Sequence, residues 1–171
     1  MGAAPDLTAI LALHRQIDEA VAKLTERLGA MLQCGPGCAA CCADELTVFQ
    51  VEADRILARH AQLLAEALPH PPGACAFLDA AGRCRIYADR PYVCRTQGLP
   101  LRWIDDGPDG QPAEHRDICA LNDPGPALLE LPAEACWTLG PIETQLRALQ
   151  IERDGGDLTR VALRSLFAHS G

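Results

Sequence analysis

Nine residues, Cys34-Gly35-Pro36-Gly37-Cys38-Ala39-Ala40-Cys41-Cys42, hold four of the nine cysteines in this chain of 171 residues. Glycine and proline fill the first gap, so the backbone can turn tightly and offer amide N–H groups to whatever lies inside the turn. A C-x3-C-x2-C run brings three sulfurs to one small object, and thiolates suit zinc or iron–sulfur clusters. Cys42 follows directly. Adjacent side chains diverge, which gives it to a second centre or to a place behind the first. The plainer alternatives are a reduced thiol cluster without metal, or a pair of disulfides.

Composition narrows the function classes. One domain is expected, long enough to bury a core unaided. Hydrophobic residues make up 49% of the chain and aromatic ones only 4%, so the core is mainly aliphatic. A net charge of −8 argues against nucleic-acid binding, because no large basic surface is available to neutralise phosphates. Residues 1–6 carry neither the basic nor the apolar region of a secretory signal, and no run approaches the roughly 18 apolar residues of a membrane span. A cytoplasmic protein with no membrane partner is expected, and there clustered cysteines are more often metal ligands than disulfides.

The fold expected is mainly α, with a loop-rich, cysteine-rich metal-binding centre and at most a short β-hairpin. Ile10, His14, Ile17, Val21, Leu24, Leu28 and Met31 alternate at spacings of four and three, which predicts a helix over 7–33 ended by Gly35 and Pro36. Its stripe can pack on the chain's own core or form the seam of a homodimer. His14 and His60 read as packed, hydrogen-bonded histidines before metal ligands. A second helix is predicted from Gln50 to Leu68, stopped by the proline-rich stretch 69–72. Residues 69–126 hold nine of thirteen prolines and six of fourteen glycines, together with Cys75, Cys84, Cys94 and Cys119. Such a segment needs a staple, and metal supplies one. Asp79-Ala80-Ala81-Gly82 reads as a hairpin turn, and Asp89-Arg90-Pro91 as the cap of a helical turn carrying Cys94. Helices are predicted from Pro141 to Arg153 and, capped by Asp157, on to His169. The organisation expected is one domain over 1–171, with the cysteine core at 34–122 and C-terminal helices at 123–171.

The cysteines together resemble a known pattern. C-x3-C-x2-C-C, then Cys75-Ala76-Phe77-Leu78, then Cys84-Arg85-Ile86-Tyr87-Ala88-Asp89-Arg90-Pro91-Tyr92-Val93-Cys94-Arg95, are similar to the YkgJ-type cysteine-cluster family, through Cys119-Ala120-Leu121-Asn122. Its domain is described as zinc- or iron-chelating, and its members also as iron–sulfur proteins. The resemblance implies that cysteines in the matched region are metal ligands, and it implies no reaction. Cys136 lies outside that region and reads as a buried structural thiol. The ligand candidates are therefore Cys34, Cys38, Cys41, Cys42, Cys75, Cys84, Cys94 and Cys119, enough for two four-cysteine sites or for one site with four spare sulfurs.

Three closely spaced cysteines after an opening gap of three suit a 4Fe-4S cluster, which we read ahead of zinc. Arginines crowd the cysteine segment, and Arg90 and Arg95 are the candidates for offsetting thiolate charge behind the ligands. Two function classes follow. One is a metal- or cluster-binding protein in electron transfer, metal handling or service to a partner protein. The other is an enzyme whose cluster activates substrate at an open position.

Overall fold

The computed structural model describes residues 6–35, 37–123 and 125–168. Helix α1 (Thr8–Leu28) buries Ile10, Leu13, His14, Ile17, Leu24 and Leu28 along one stripe. Gly29, at φ 51°, converts the last turn to a short 3-10 turn over Gly29–Met31, so the helix stops earlier than the 33 expected. The stripe packs inside the chain, against Val51, Tyr92, Leu99, Trp137, Ile142 and Leu146.

Strand β1 (Thr47–Phe49) leads directly into α2 (Gln50–Arg59), and α3 (Ala61–Glu66) follows. The single helix expected to Leu68 is thus two. His60 leaves helical geometry at φ −126°, and its Nε2 donates to Asp89 Oδ2 at 2.9 Å. Helix α2 buries six consecutive residues, Val51 to Ile56, because cores lie on two sides of it. Val51 joins the core around α1, whereas Ala53 and Ile56 join a second core with Leu64, Phe77, Ile86, Leu163 and Phe167. Its polar residues are buried as pairs. Glu52 Oε1 accepts from His14 Nε2 at 3.1 Å and from the Tyr92 amide at 2.6 Å. Arg55 donates to Asp89 Oδ1 from Nε at 3.2 Å and Nη2 at 2.7 Å, and its Nη1 meets His14 Nδ1. Arg153 Nε donates to Asp54 Oδ2 at 2.6 Å.

The proline-rich middle contains more sheet than expected. The turn at Asp79 forms, with Asp79 Oδ1 accepting from the amides of Ala81 and Arg83 at 2.8 Å, but only one bridge, Leu78 with Cys84, flanks it. The longer hairpin is elsewhere. Strands β2 (Leu101–Asp106) and β3 (Pro112–Asp117) pair antiparallel, and β4 (Trp137–Thr138) adds to β2 in parallel. Short helix α4 (Tyr92–Arg95) carries Cys94 and is capped by Pro91, while Asp89 turns away to Arg55 and His60 in place of the capping role expected.

Helix α5 (Pro141–Asp154) matches expectation, with proline in its first turn and Gly155 left-handed at its end. The expected final helix does not form. Leu158 sits at φ 52° and Asp154 Oδ2 accepts from the Thr159 amide at 2.8 Å, so the chain turns into β5 (Arg160–Ala162). That strand pairs antiparallel with β1, Val161 opposite Val48, and a 3-10 turn over Leu163–Leu166 follows. His169, the expected helix end, lies outside the described residues, as do residues 1–5. Two small sheets therefore correct the single hairpin expected. No described helix is long and apolar enough to cross a membrane.

Candidate metal centre

The first three cysteines sit on a loop of tight turns. The Cys38 amide donates to Gly35 O and the Cys42 amide to Ala39 O, each at 3.0 Å. Gly37, at φ 86°, keeps this loop against the Asp79 turn, where a Cβ added at Gly82 would stand 3.5 Å from Gly37 O. Cys119 opens a 3-10 turn over Ala120–Asn122, and the Asn122 amide closes it on Cys119 O at 2.8 Å. Asn122 is 3% exposed. Its Nδ2 donates to Gly98 O at 2.7 Å and to Cys34 Sγ at 3.2 Å, and its Oδ1 accepts from the Gln33 amide at 2.7 Å. Gly98, at φ 91°, has no room for a side chain, because an added Cβ would fall 3.1 Å from Cys34 Sγ.

The remaining ligand candidates gather on the other side of the Cys41–Cys42 peptide. The Cys75 amide donates to Cys42 O at 2.9 Å, drawing the two chain segments together. Cys75 belongs to the second core, and Cys42 and Cys84 pack against it. Burial raises the Cys75 and Cys84 thiols, with the backbone amides of Phe77 and Ile86 acting the other way. Arg164, just after β5, fixes this region from behind. It donates to Asp44 Oδ1 at 2.7 Å from Nε, to His70 O at 2.6 Å and to Ala74 O at 2.9 Å.

Burial raises the Cys34 thiol first, the Asn122 hydrogen bond lowers it, and Cys38 and Cys119 add to the rise. Burial raises Cys41 as well, with Cys38 and Cys119 again adding to it and Cys42 touching it as chain neighbour. Cys42 is pushed up to about 12, first by burial and then by Cys41, Cys75 and Cys84. Cys94 is likewise pushed up to about 12, by burial and then by Cys75, Cys84 and Cys42. Geometry ties Cys34 to the Cys119 turn through Asn122, and it places Cys42, Cys75 and Cys84 together at the second core. Cys136 is 7% exposed beside Trp137, and burial followed by charges of Arg116, Glu114 and Arg102 sets its thiol.

The candidates are all thiols, the soft donors that zinc or an iron–sulfur cluster needs. Among the described residues no group of three or more His, Cys, Asp or Glu side chains is arranged to hold a metal ion. Raised thiols stay protonated near neutral pH, and a metal that binds them must displace protons.

The two arginines expected behind the ligands part company. Arg90 lies over the Tyr87 ring, 3.6 Å from its centroid, donates to Cys94 O at 3.4 Å and lowers the Cys84 and Cys94 thiols. Arg95 turns to α1, where its Nη1 donates to Asp18 at 2.7 and 2.6 Å, and to Ala88 O at 3.1 Å from Nη2. Asn122 and Gly98 were not singled out by sequence reasoning. The signal was the asparagine three residues after Cys119, which places its amide at the far end of the same turn. No curated protein and no solved structure matches the chain. Residues 33–119 match the model of the CxxCxxCC family, described as "Putative zinc- or iron-chelating domain", and with that match over about half its length the chain belongs to this family.

Proposed function

We propose that the protein chelates metal at two centres of four thiolates, an outer one of Cys34, Cys38, Cys41 and Cys119 and an inner one of Cys42, Cys75, Cys84 and Cys94. The outer centre carries a 4Fe-4S cluster, and the protein stores or passes on metal or electrons in the reducing cytoplasm. The observation that carries this reading is that Cys34 meets the Cys119 turn through Asn122, while Cys42, Cys75 and Cys84 share the second core. Three sulfurs of the outer set come from one short loop, the arrangement suited to one corner of a cubane. Zinc is the second reading, and the inner set speaks for it. Cys75 and Cys84 sit at the second core, a closed setting that suits a single structural ion as readily as a cluster.

Iron, acid-labile sulfide and zinc per chain, measured on protein purified without oxygen, test it. Brown protein with sulfide is expected. Cys41→Ser should empty the outer centre and spare the inner, Cys42→Ser the reverse, and Cys136→Ser should lose nothing. Colourless protein containing zinc moves the reading to zinc. Equal losses in the Cys41 and Cys42 variants defeat the two-centre partition.

A further inference from the structure

A cavity of about 340 Å³ opens between α1 and α2, lined by Thr8, Leu11, His14, Arg15 and Asp18 of the first and Arg55 of the second, with no cysteine among these residues. Sites for small molecules run from about 300 to 1,000 Å³, so this space takes a small ligand only. Two of its lining side chains are buried, His14 at 2% exposure and Arg55 at 8%. The others lie on an exposed face of α1, where Leu11, Arg15 and Asp18 fall at spacings of four and three. Arg15 and Asp18 could pair across that spacing. Asp18 instead accepts from Arg95 Nη1 at 2.7 and 2.6 Å, and among the described residues Arg15 has no ion pair. We propose that this cavity binds a small zwitterion of the α-amino acid class, with its carboxylate between Arg15 and Arg55 and its ammonium on Asp18.

Both ends of such a ligand find partners. Arg55 directs Nε and Nη2 to Asp89, at 3.2 and 2.7 Å, and one hydrogen of Nη1 to His14 Nδ1, which leaves the other hydrogen of Nη1 for a ligand. Arg15 brings a whole guanidinium, whose fork grips a carboxylate by parallel bonds. The Asp18 side chain is half exposed, and a carboxylate accepts at about four positions, so it has room for an ammonium beside Arg95. Leu11, 38% exposed on the same face, offers an apolar contact to a short side chain. Charge decides between a zwitterion and a plain anion. Arg15, Arg55 and Arg95 stand against Asp18, Glu52 and Asp89 in this cluster, and His14 adds nothing, because burial holds it neutral with its Nε2–H on Glu52. The cluster is therefore balanced before a ligand arrives. A lone anion would leave it negative and would meet Asp18 directly, whereas a zwitterion keeps the balance and pairs both open ends.

The test is equilibrium dialysis of the full chain against radiolabelled L-alanine, with unlabelled L-alanine, acetate and ethylamine as competitors at matched ionic strength. Alanine should bind saturably at one site per chain. Acetate and ethylamine each lack one charged bond, so each should displace the label at least about tenfold less well than alanine does. Arg15 is exposed and has no ion pair to lose, so Arg15→Gln keeps the fold, and it should weaken alanine binding by about tenfold or more. Asp18→Asn should do the same; where it fails to fold without its bond to Arg95, Arg15→Gln carries the test alone. Lys23→Gln, at an exposed position farther along α1, should bind as the parent does. A parent chain without saturable alanine binding, or an Arg15→Gln protein that binds as tightly as the parent, would overturn the site. Acetate that competes as well as alanine would overturn the zwitterion and leave a plain anion site.

Discussion

Replacing Asp89 by alanine removes the anion that compensates Arg55. Both residues are buried, at 8% exposure each, and the carboxylate takes two donors from Arg55 and one from His60. Removing one member of a buried ion pair costs about 3–5 kcal/mol, because the other charge stays behind in low dielectric. Against a typical domain stability of about 5–15 kcal/mol, that is a large fraction. With a urea slope near 2 kcal/mol per molar, within the usual range of about 1–3, the midpoint should fall by about 1.5–2.5 M. The assay is urea unfolding of parent and variant at matched metal content, read by tryptophan fluorescence. The double variant Arg55→Met, Asp89→Leu fills the same space without charge and should regain most of the loss. A fall below about 0.5 M for Asp89→Ala would refute the argument. A double variant no more stable than the single would refute it too.

Two further outcomes follow from the buried histidine and from the cradle of Cys34. His14 has its Nε2–H on Glu52 and its Nδ1 lone pair facing Arg55, so it is held neutral; burial lowers its pKa first, Arg95 and Arg55 push the same way, and Glu52 opposes them. A folded pKa below the unfolded value of about 6.5 means that the unfolded chain binds the extra proton, so this stability is complete above about pH 6.5 and drains away as pH falls. The urea midpoint of His14→Gln should therefore lose less between neutral and mildly acidic pH than that of the parent, and parallel curves would contradict this. Asn122→Ala removes the donor to Cys34 and should weaken the outer centre by about 10–100-fold in a metal-competition titration while sparing the inner one, an outcome that equal affinities would contradict.

Much of the scaffold was legible because it rests on local signals. Helix α5 begins at a proline and ends at a left-handed glycine, and α1 announces its buried stripe by spacing alone. The eight ligand candidates were legible as residue types. Their division was not, since it depends on where the loops after Phe77, Ile86 and Leu99 lie, and no periodicity encodes a loop. Residues 160–162 read as helix because Asp157 reads as a cap opening a new helix. Pairing with β1, more than a hundred residues away, outweighs that propensity. The β2–β3 hairpin had a signal that was passed over, the Asp-Gly and Pro-Asp-Gly turn residues between Asp106 and Gln111. The burial of α2 on every side from Val51 to Ile56 was hidden too, because Glu52, Asp54 and Arg55 resemble a solvated face until their distant partners are known.

The clasp formed by Arg164 has a consequence for the order of events during synthesis. Asp44 and Ala74, which it joins, flank Cys42 and Cys75, yet Arg164 lies 45 residues beyond Cys119, the last of the eight candidate ligands. A nascent chain has all eight thiols outside the ribosome before β5 and its arginine emerge. Metal can thus meet these thiols while their rear wall is still missing, and a stretch of chain made later shuts that wall behind them. Truncation before Arg160 should leave the thiols in place but the door unlatched.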